Sequence, residues 1–130
     1  MKRAAVVSVL VVLASAASAA DRPPPDLVAA RAAFAAAVAK NDMAAAAALS
    51  SFPLKNVAYR APKTIPQAQF AAQFRMYRQF GDCVKSAPLL PTPAKGAAPA
   101  IWKIDCDGND LWFGLRNGRW LHTGYENVNE

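Results

Sequence analysis

The chain has little of what metalloproteins and enzymes most often use. It carries two cysteines and a single histidine in 130 residues. A tetrahedral metal site takes four ligands, and His122 with Cys83 and Cys106 falls short of that, so no metal is expected. The cysteines are also too far apart for a Cys-x-x-Cys redox pair. A glycine-rich phosphate loop, a Gly-x-Ser-x-Gly elbow and a His-Glu-x-x-His helix are all missing, and no cofactor is expected. Basic residues are scattered from Arg22 to Arg119 without a block of like charge, which excludes a nucleic-acid tail and describes a solvated basic surface. There is no internal repeat. The longest apolar run, Ala4 to Leu13, is shorter than the ~20 residues of a spanning helix.

That run has a context. Lys2 and Arg3 precede it and the small residues Ala14 to Ala20 follow, which is the order of a secretory signal peptide with cleavage after Ala19 or Ala20. No cysteine follows the small residues, so no lipid is attached there. The expected product is periplasmic or secreted, with no membrane anchor in its mature form. Removing Lys2 and Arg3 takes the formal charge from +6 to +4. In an oxidising compartment the default state of Cys83 and Cys106 is one disulfide. The remaining roughly 110 residues suffice for one core. They divide into a mobile lead-in, 21–25, and a single α+β domain, 26–130.

Asp26 is placed to N-cap a helix running to about Lys40, with Leu27, Ala30, Phe34, Ala37 and Val38 on one face. Asn41-Asp42 breaks it and caps a second helix from Met43 to about Leu49. Both helices are alanine-rich, so Phe34, Val38, Met43 and Leu49 must supply most of their packing. Phe52 to Arg60 reads as a strand that Pro53 pushes toward an edge. Thr64, Pro66 and Gln67 form a capping-box start for a helix to about Tyr77, whose Phe70, Phe74 and Tyr77 make a core stripe. Gly81 ends it. Asp82 to Leu90 reads as extended and Pro91 to Pro99 as a loop. Ala100–Asp107, Asp110–Arg116 and Arg119–Tyr125 are strands joined by two-residue turns at Gly108-Asn109 and Asn117-Gly118.

Two-residue turns fix registers, and registers fix faces. Cys106 then faces Leu111, Ile104 faces Phe113 and Trp102 faces Leu115. Across the second turn Leu115 faces Trp120, Phe113 faces His122 and Leu111 faces Gly124. Both hairpins put Trp102, Ile104, Cys106, Leu111, Phe113, Leu115, Trp120 and His122 on one face, the side that receives the helices. Trp102, Phe113, Trp120 and His122 are its pocket candidates. The other face carries Lys103, Asp105, Trp112, Arg116, Arg119, Leu121, Thr123 and Tyr125. Trp112, Arg116, Arg119 and Leu121 are candidates for an interaction face, including one between two copies of the chain. His122 is the one candidate general base, and it needs an orienting partner to act as one. Asp105, Asp107 and Asp110 lack the spacing of a calcium loop, and two of them flank a turn where aspartate is favoured.

The order helix, helix, strand, helix, antiparallel strands resembles the nuclear transport factor 2-like (cystatin-like, α+β cone) superfamily. Phe34 to Leu49 suggests its paired helices, and Phe52-Pro53-Leu54 resembles the first strand of small exported members. Ile65 to Phe74 resembles the helix that follows. Trp102–Asp107 and Asp110–Trp120, ending in Gly118-Arg119-Trp120, resemble the closing strands. The resemblance implies a curved antiparallel sheet of four to five strands packed on three helices. It does not choose a reaction, because the superfamily holds isomerases, dehydratases, cyclases, ligand binders and dimerisation modules. Enzymatic members place Asp or His inside the cone with polar partners, and this chain offers only His122. The expected function is therefore a non-catalytic exported domain binding an unknown small molecule or protein. The alternatives are a small isomerase- or hydrolase-type enzyme using His122 as base, and an inhibitor or immunity factor of a secreted enzyme.

Overall fold

The computed structural model describes residues 22–57, 62–92 and 100–129. Segment 1–20, read from the sequence as a signal peptide, and most of the expected Pro91–Pro99 loop lie outside the described residues.

Helix α1 spans Pro25–Ala39. It starts one residue before Asp26, because the Pro24 carbonyl accepts from the backbone N–H groups of Leu27 and Val28 at 3.0 and 3.1 Å. Proline at the first helical position has no N–H to lose and a preset φ, so Pro25 opens the helix. Asp26 falls in the first turn, where its charge suits the helix dipole, and makes no cap. Leu27, Phe34, Ala37 and Val38 are buried as their spacing predicts, joined by Ala35. Asn41 takes a left-handed φ of 57° at the break. Asp42 then caps α2 (Met43–Ala48), its carboxylate accepting from the Ala45 N–H at 3.0 Å. Met43 turns outward rather than into the core, and Ala46 takes the buried position, so the packing of this pair falls more heavily on Phe34.

Strand β1 spans Ser50–Val57, earlier than the expected Phe52–Arg60, and residues 58–60 lie outside the described set. It is not at an edge. It runs parallel to β6 on one side and antiparallel to the two-residue β2 (Thr64–Ile65) on the other. Pro53 is accommodated because the β1–β6 register breaks between Ser50 and Lys55, an irregularity that tolerates the missing N–H. The expected capping box does not form. Thr64 is held extended opposite Lys55, and Ile65 before a proline favours extended backbone as well. A 3-10 turn, Gln67–Gln69, leads into α3 (Phe70–Arg78), which buries Phe70, Phe74 and Tyr77 as predicted.

The segment read as extended from Asp82 contains a short helix, α4 (Cys83–Ser86), whose start is held by the Asp82 carbonyl accepting from Lys85 and Ser86. Four residues are too few to show a helical period. Burial of Val84 and the disulfide from Cys83 to Cys106, with Cα atoms 5.7 Å apart, fix it against the sheet. Strand β3 (Leu90–Thr92) follows and forms the edge beside β4 (Ile101–Cys106).

The first hairpin turns at Asp107-Gly108, with φ of 57° and 83°, and not at Gly108-Asn109. Two positive φ values in succession are the type I′ requirement, which Asp-Gly meets. Cys106 therefore pairs with Asn109, Ile104 with Leu111 and Trp102 with Phe113. The slip is two residues, so every side chain stays on its expected face. The second hairpin joins β5 (Asn109–Arg116) to β6 (Arg119–Asn127) through Asn117-Gly118 and pairs Leu115 with Trp120 and Phe113 with His122, as expected. Beyond that a bulge intervenes: Trp112 pairs with Gly124 and Leu111 with Tyr125. The extra residue, Thr123, moves Tyr125 from the expected outer face to the inner one, where it is buried.

The sheet is open and mixed, six strands in the order β2-β1-β6-β5-β4-β3. The fold is α+β, as expected, with more strands and helices than the four to five and three anticipated and one parallel pair, β1 with β6. The Trp112 indole lies directly on Gly124: a Cβ there would sit 3.0 Å from the ring and 3.1 Å from the Lys55 carbonyl oxygen. Because that carbonyl is backbone in a paired strand, Gly124→Ala should cost about 2 kcal/mol by forced displacement, read as a lower urea midpoint with the m value unchanged. A variant as stable as the parent would show that β1 and β6 are not in this register.

Candidate functional site

His122 stands at the centre of the inner face with no exposed surface. Its Nδ1 lies 2.9 Å from the Trp112 carbonyl oxygen and its Nε2 lies 2.7 Å from the Tyr77 hydroxyl. A carbonyl can only accept, so Nδ1 carries the proton and Nε2 accepts from Tyr77. Gln73 in turn donates its amide to the Tyr77 oxygen at 3.1 Å. The result is a directed chain, Gln73 to Tyr77 to His122 to the Trp112 carbonyl. Burial pulls the imidazole pKa down to about 4, against a smaller upward effect of the hydrogen bond to Trp112. Burial also pushes the Tyr77 phenol well above its usual range, so it stays a donor.

The partner that His122 would need to act as a base is thus Tyr77, from a stripe read as core. Its signal was available: a tyrosine among phenylalanines on a buried face needs a polar partner for its hydroxyl. The pocket expected of Trp102, Phe113, Trp120 and His122 is filled. Phe34 packs 4.8 Å from the imidazole and 5.9 Å from Phe113, centroid to centroid, and Tyr125 lies 6.2 Å from Tyr77. Trp102 and Phe113 are buried core residues, Trp120 is half-buried against them, and none of the four lines the grooves described below.

On the outer face the structure brings Trp112, Arg116, Arg119 and Leu121 together as the registers require. Trp112 and Leu121 are half-buried and the two arginines are exposed. Lys55 adds its ammonium 5.4 Å from the Trp112 ring centroid, a cation–π pair. Arg116 and Arg119 face each other as the last pair before the turn, a like-charge pairing that is unfavourable by itself. Lys103 bridges Asp110 at 3.1 Å. Three polar atoms near this face, Trp112 Nε1, Asp110 Oδ1 and Thr123 Oγ1, are buried without a hydrogen-bond partner among the described residues.

Concavities lie elsewhere. A groove of about 660 Å³ runs along α3 past β2 and includes Gln73, Arg75, Thr64 and Asn56. Another, of about 440 Å³, lies between α1 and α4. Smaller hollows adjoin the disulfide and the α2–α3 contact. Among the described residues no three His, Cys, Asp or Glu side chains cluster in a way that could hold a metal ion, and no helix is long and apolar enough to cross a membrane.

Neither a family model nor a curated protein sequence matches the chain. Solved structures do. One is a candidate polyketide cyclase from Xanthomonas campestris pv. campestris, at 12% identity over 78% of this chain and 87% of that one, TM-score 0.44. Another is a candidate calcium/calmodulin dependent protein kinase II association domain from Xanthomonas campestris, at 13% identity over 82% of this chain and 91% of that one, TM-score 0.46. A third is a nuclear transport factor 2-like protein of unknown function from Shewanella oneidensis, at 13% identity over 78% of this chain and 94% of that one, TM-score 0.40. The element order that the sequence resemblance implies, paired helices, strand, helix and closing antiparallel strands, is the order this chain has.

Proposed function

We propose that the protein is a non-catalytic exported domain that binds a small molecule or a protein. One observation carries the reading: the sole histidine is sealed, with both ring nitrogens engaged by Tyr77 and the Trp112 carbonyl. A general base must reach the proton it takes, and a fully buried imidazole reaches none. The Lys2-Arg3 start with its apolar run supports export, and the Cys83–Cys106 disulfide fits the same compartment. The docking surface for a protein partner, a second copy of the chain included, is the outer face around Trp112, Leu121, Arg116 and Arg119. Its unfavourable arginine pair is relieved by an acidic partner.

The enzyme alternative has one observation in its favour, since Gln73, at the head of the chain to His122, lines the groove along α3. Carbethoxylation with diethyl pyrocarbonate separates the two readings. Peptide mapping should find residue 122 unmodified in the native protein at neutral pH and modified in urea. Modification of the native protein would show that small electrophiles reach the ring and would overturn the non-catalytic reading.

A further inference from the structure

Helix α1 is apolar on two sides. Leu27, Phe34 and Val38 face the core, while Val28, Ala32 and Ala36 face outward into the groove of about 440 Å³. A helix apolar all round is normally covered on both sides. Across the groove stands α4 with buried Val84, and the alanines leave the space between the helices open because they end at Cβ. The volume lies in the range of small-molecule sites, which combine apolar walls with a few fixed polar groups.

The fixed polar group here is Arg31. Its Nη1 donates to the Ala87 carbonyl at 2.6 Å, which ties the half-buried guanidinium to the end of α4. One of its five N–H donors is spent on Ala87, and no other hydrogen bond joins the guanidinium to a described residue. No described carboxylate lies within ion-pair distance of it; the one ion pair among the described residues joins Lys103 and Asp110. Partial burial lowers the Arg31 pKa by desolvation, which an anion beside the guanidinium would offset. Lys40 and Lys85 stand at the same groove against the single carboxylate of Asp82. The rim therefore selects an anion. It disfavours the chain's own apolar segment 4–13, which is led by Lys2 and Arg3.

We propose that the α1–α4 groove binds a single-chain organic carboxylate, with its hydrocarbon body along Val28, Ala32 and Ala36 and its carboxylate on the Arg31 guanidinium. A planar fork held in place by Ala87 suits a carboxylate bidentately, as a lysine does not. This inference rests on reading the protein as a binding domain and names the ligand class; that reading is tested separately at His122, so either can fail without the other.

The test is an NMR titration of the full, oxidised chain with dodecanoate below its micelle concentration. Dodecanol and dodecyltrimethylammonium serve as neutral and cationic controls. Saturable amide shifts confined to residues 28–40 and 81–87 are expected with dodecanoate. Arg31→Gln should weaken it on the order of tenfold and leave dodecanol nearly unchanged. Ala36→Phe, at an exposed position that burdens no core packing, should abolish both. Lys85→Gln gives a milder loss and stands in for Arg31→Gln should that variant not fold. Absence of dodecanoate shifts, shifts on the outer sheet face, equal binding of the cationic chain, or full affinity in Ala36→Phe would each overturn the assignment.

Discussion

Phe34→Ala should remove about 4 kcal/mol of stability, the middle of the range for emptying a core aromatic site. Phe34 has no exposed surface and stands where three elements meet. Its ring is edge-on to Tyr77 at 6.0 Å and to Phe113 at 5.9 Å, and tilted against His122 at 4.8 Å. Each such aromatic pair adds about 0.5–1.5 kcal/mol beyond area burial. Collapse can compensate only in part, because Ala37 on α1 and Ala46 on α2, buried in the same core, have no side chain to extend into the space. A domain of this size has roughly 5–15 kcal/mol in total, so the variant should unfold at a much lower urea concentration with an unchanged m value. Val28→Ala, on the outward side of the same helix, should change stability by less than about 0.5 kcal/mol. A Phe34→Ala loss as small as that of Val28→Ala would mean that α1 does not seat on the sheet through this ring.

The strands and their faces were legible because alternation and turn chemistry act locally. Asp107-Gly108 and Gly108-Asn109 overlap as turn candidates, and only backbone sign separates them: Asp107 and Gly108 both take positive φ. The two-residue slip between them leaves Trp102, Ile104 and Cys106 on the inner face either way. Alternation from the Asn117-Gly118 turn gives the observed face for His122, which lies before the bulge, and the opposite face for Tyr125, which lies beyond it. Gly124 was the clue, since a glycine inside a strand marks a bulge or a close approach, and here it marks both. What the sequence could not express was distance across the core. Whether the space beside His122 is a pocket or a packed wall depends on how closely α1 and α3 approach the sheet, and Phe34 and Tyr77 settle that by filling it. Arg31 was equally silent as a lone cation in an alanine helix. Its role follows only from the position of α4, which the disulfide and Val84 set and no periodicity announces.

The second large effect is on acid stability, and its sign follows from the buried imidazole. His122 titrates near 4 in the folded protein against about 6.5 in an unfolded chain. Between those values the unfolded state binds the extra proton, so stability rises with pH across the window. The contribution is fully present above about pH 6.5, is reduced by about 1.4 kcal/mol at pH 5.5 and by about 3 kcal/mol at pH 4, and falls little further below that. The structural reason is directional. Protonating Nε2 sets a second donor against the Tyr77 hydroxyl, whose oxygen already accepts from Gln73, so the hydroxyl proton and the Gln73 amide would both have to turn round inside the core. Urea unfolding from pH 7.5 to 4 should show the loss in the parent protein. His122→Phe will be less stable at neutral pH, because the Trp112 carbonyl loses its donor, yet it should show a flatter profile over the same range. The comparison isolates the imidazole, since carboxylates titrating lower contribute to both proteins alike. Identical slopes in the two proteins would mean that His122 is hydrated and titrates as it would in an unfolded chain, and the sealed chain from Gln73 to the Trp112 carbonyl would have to be abandoned.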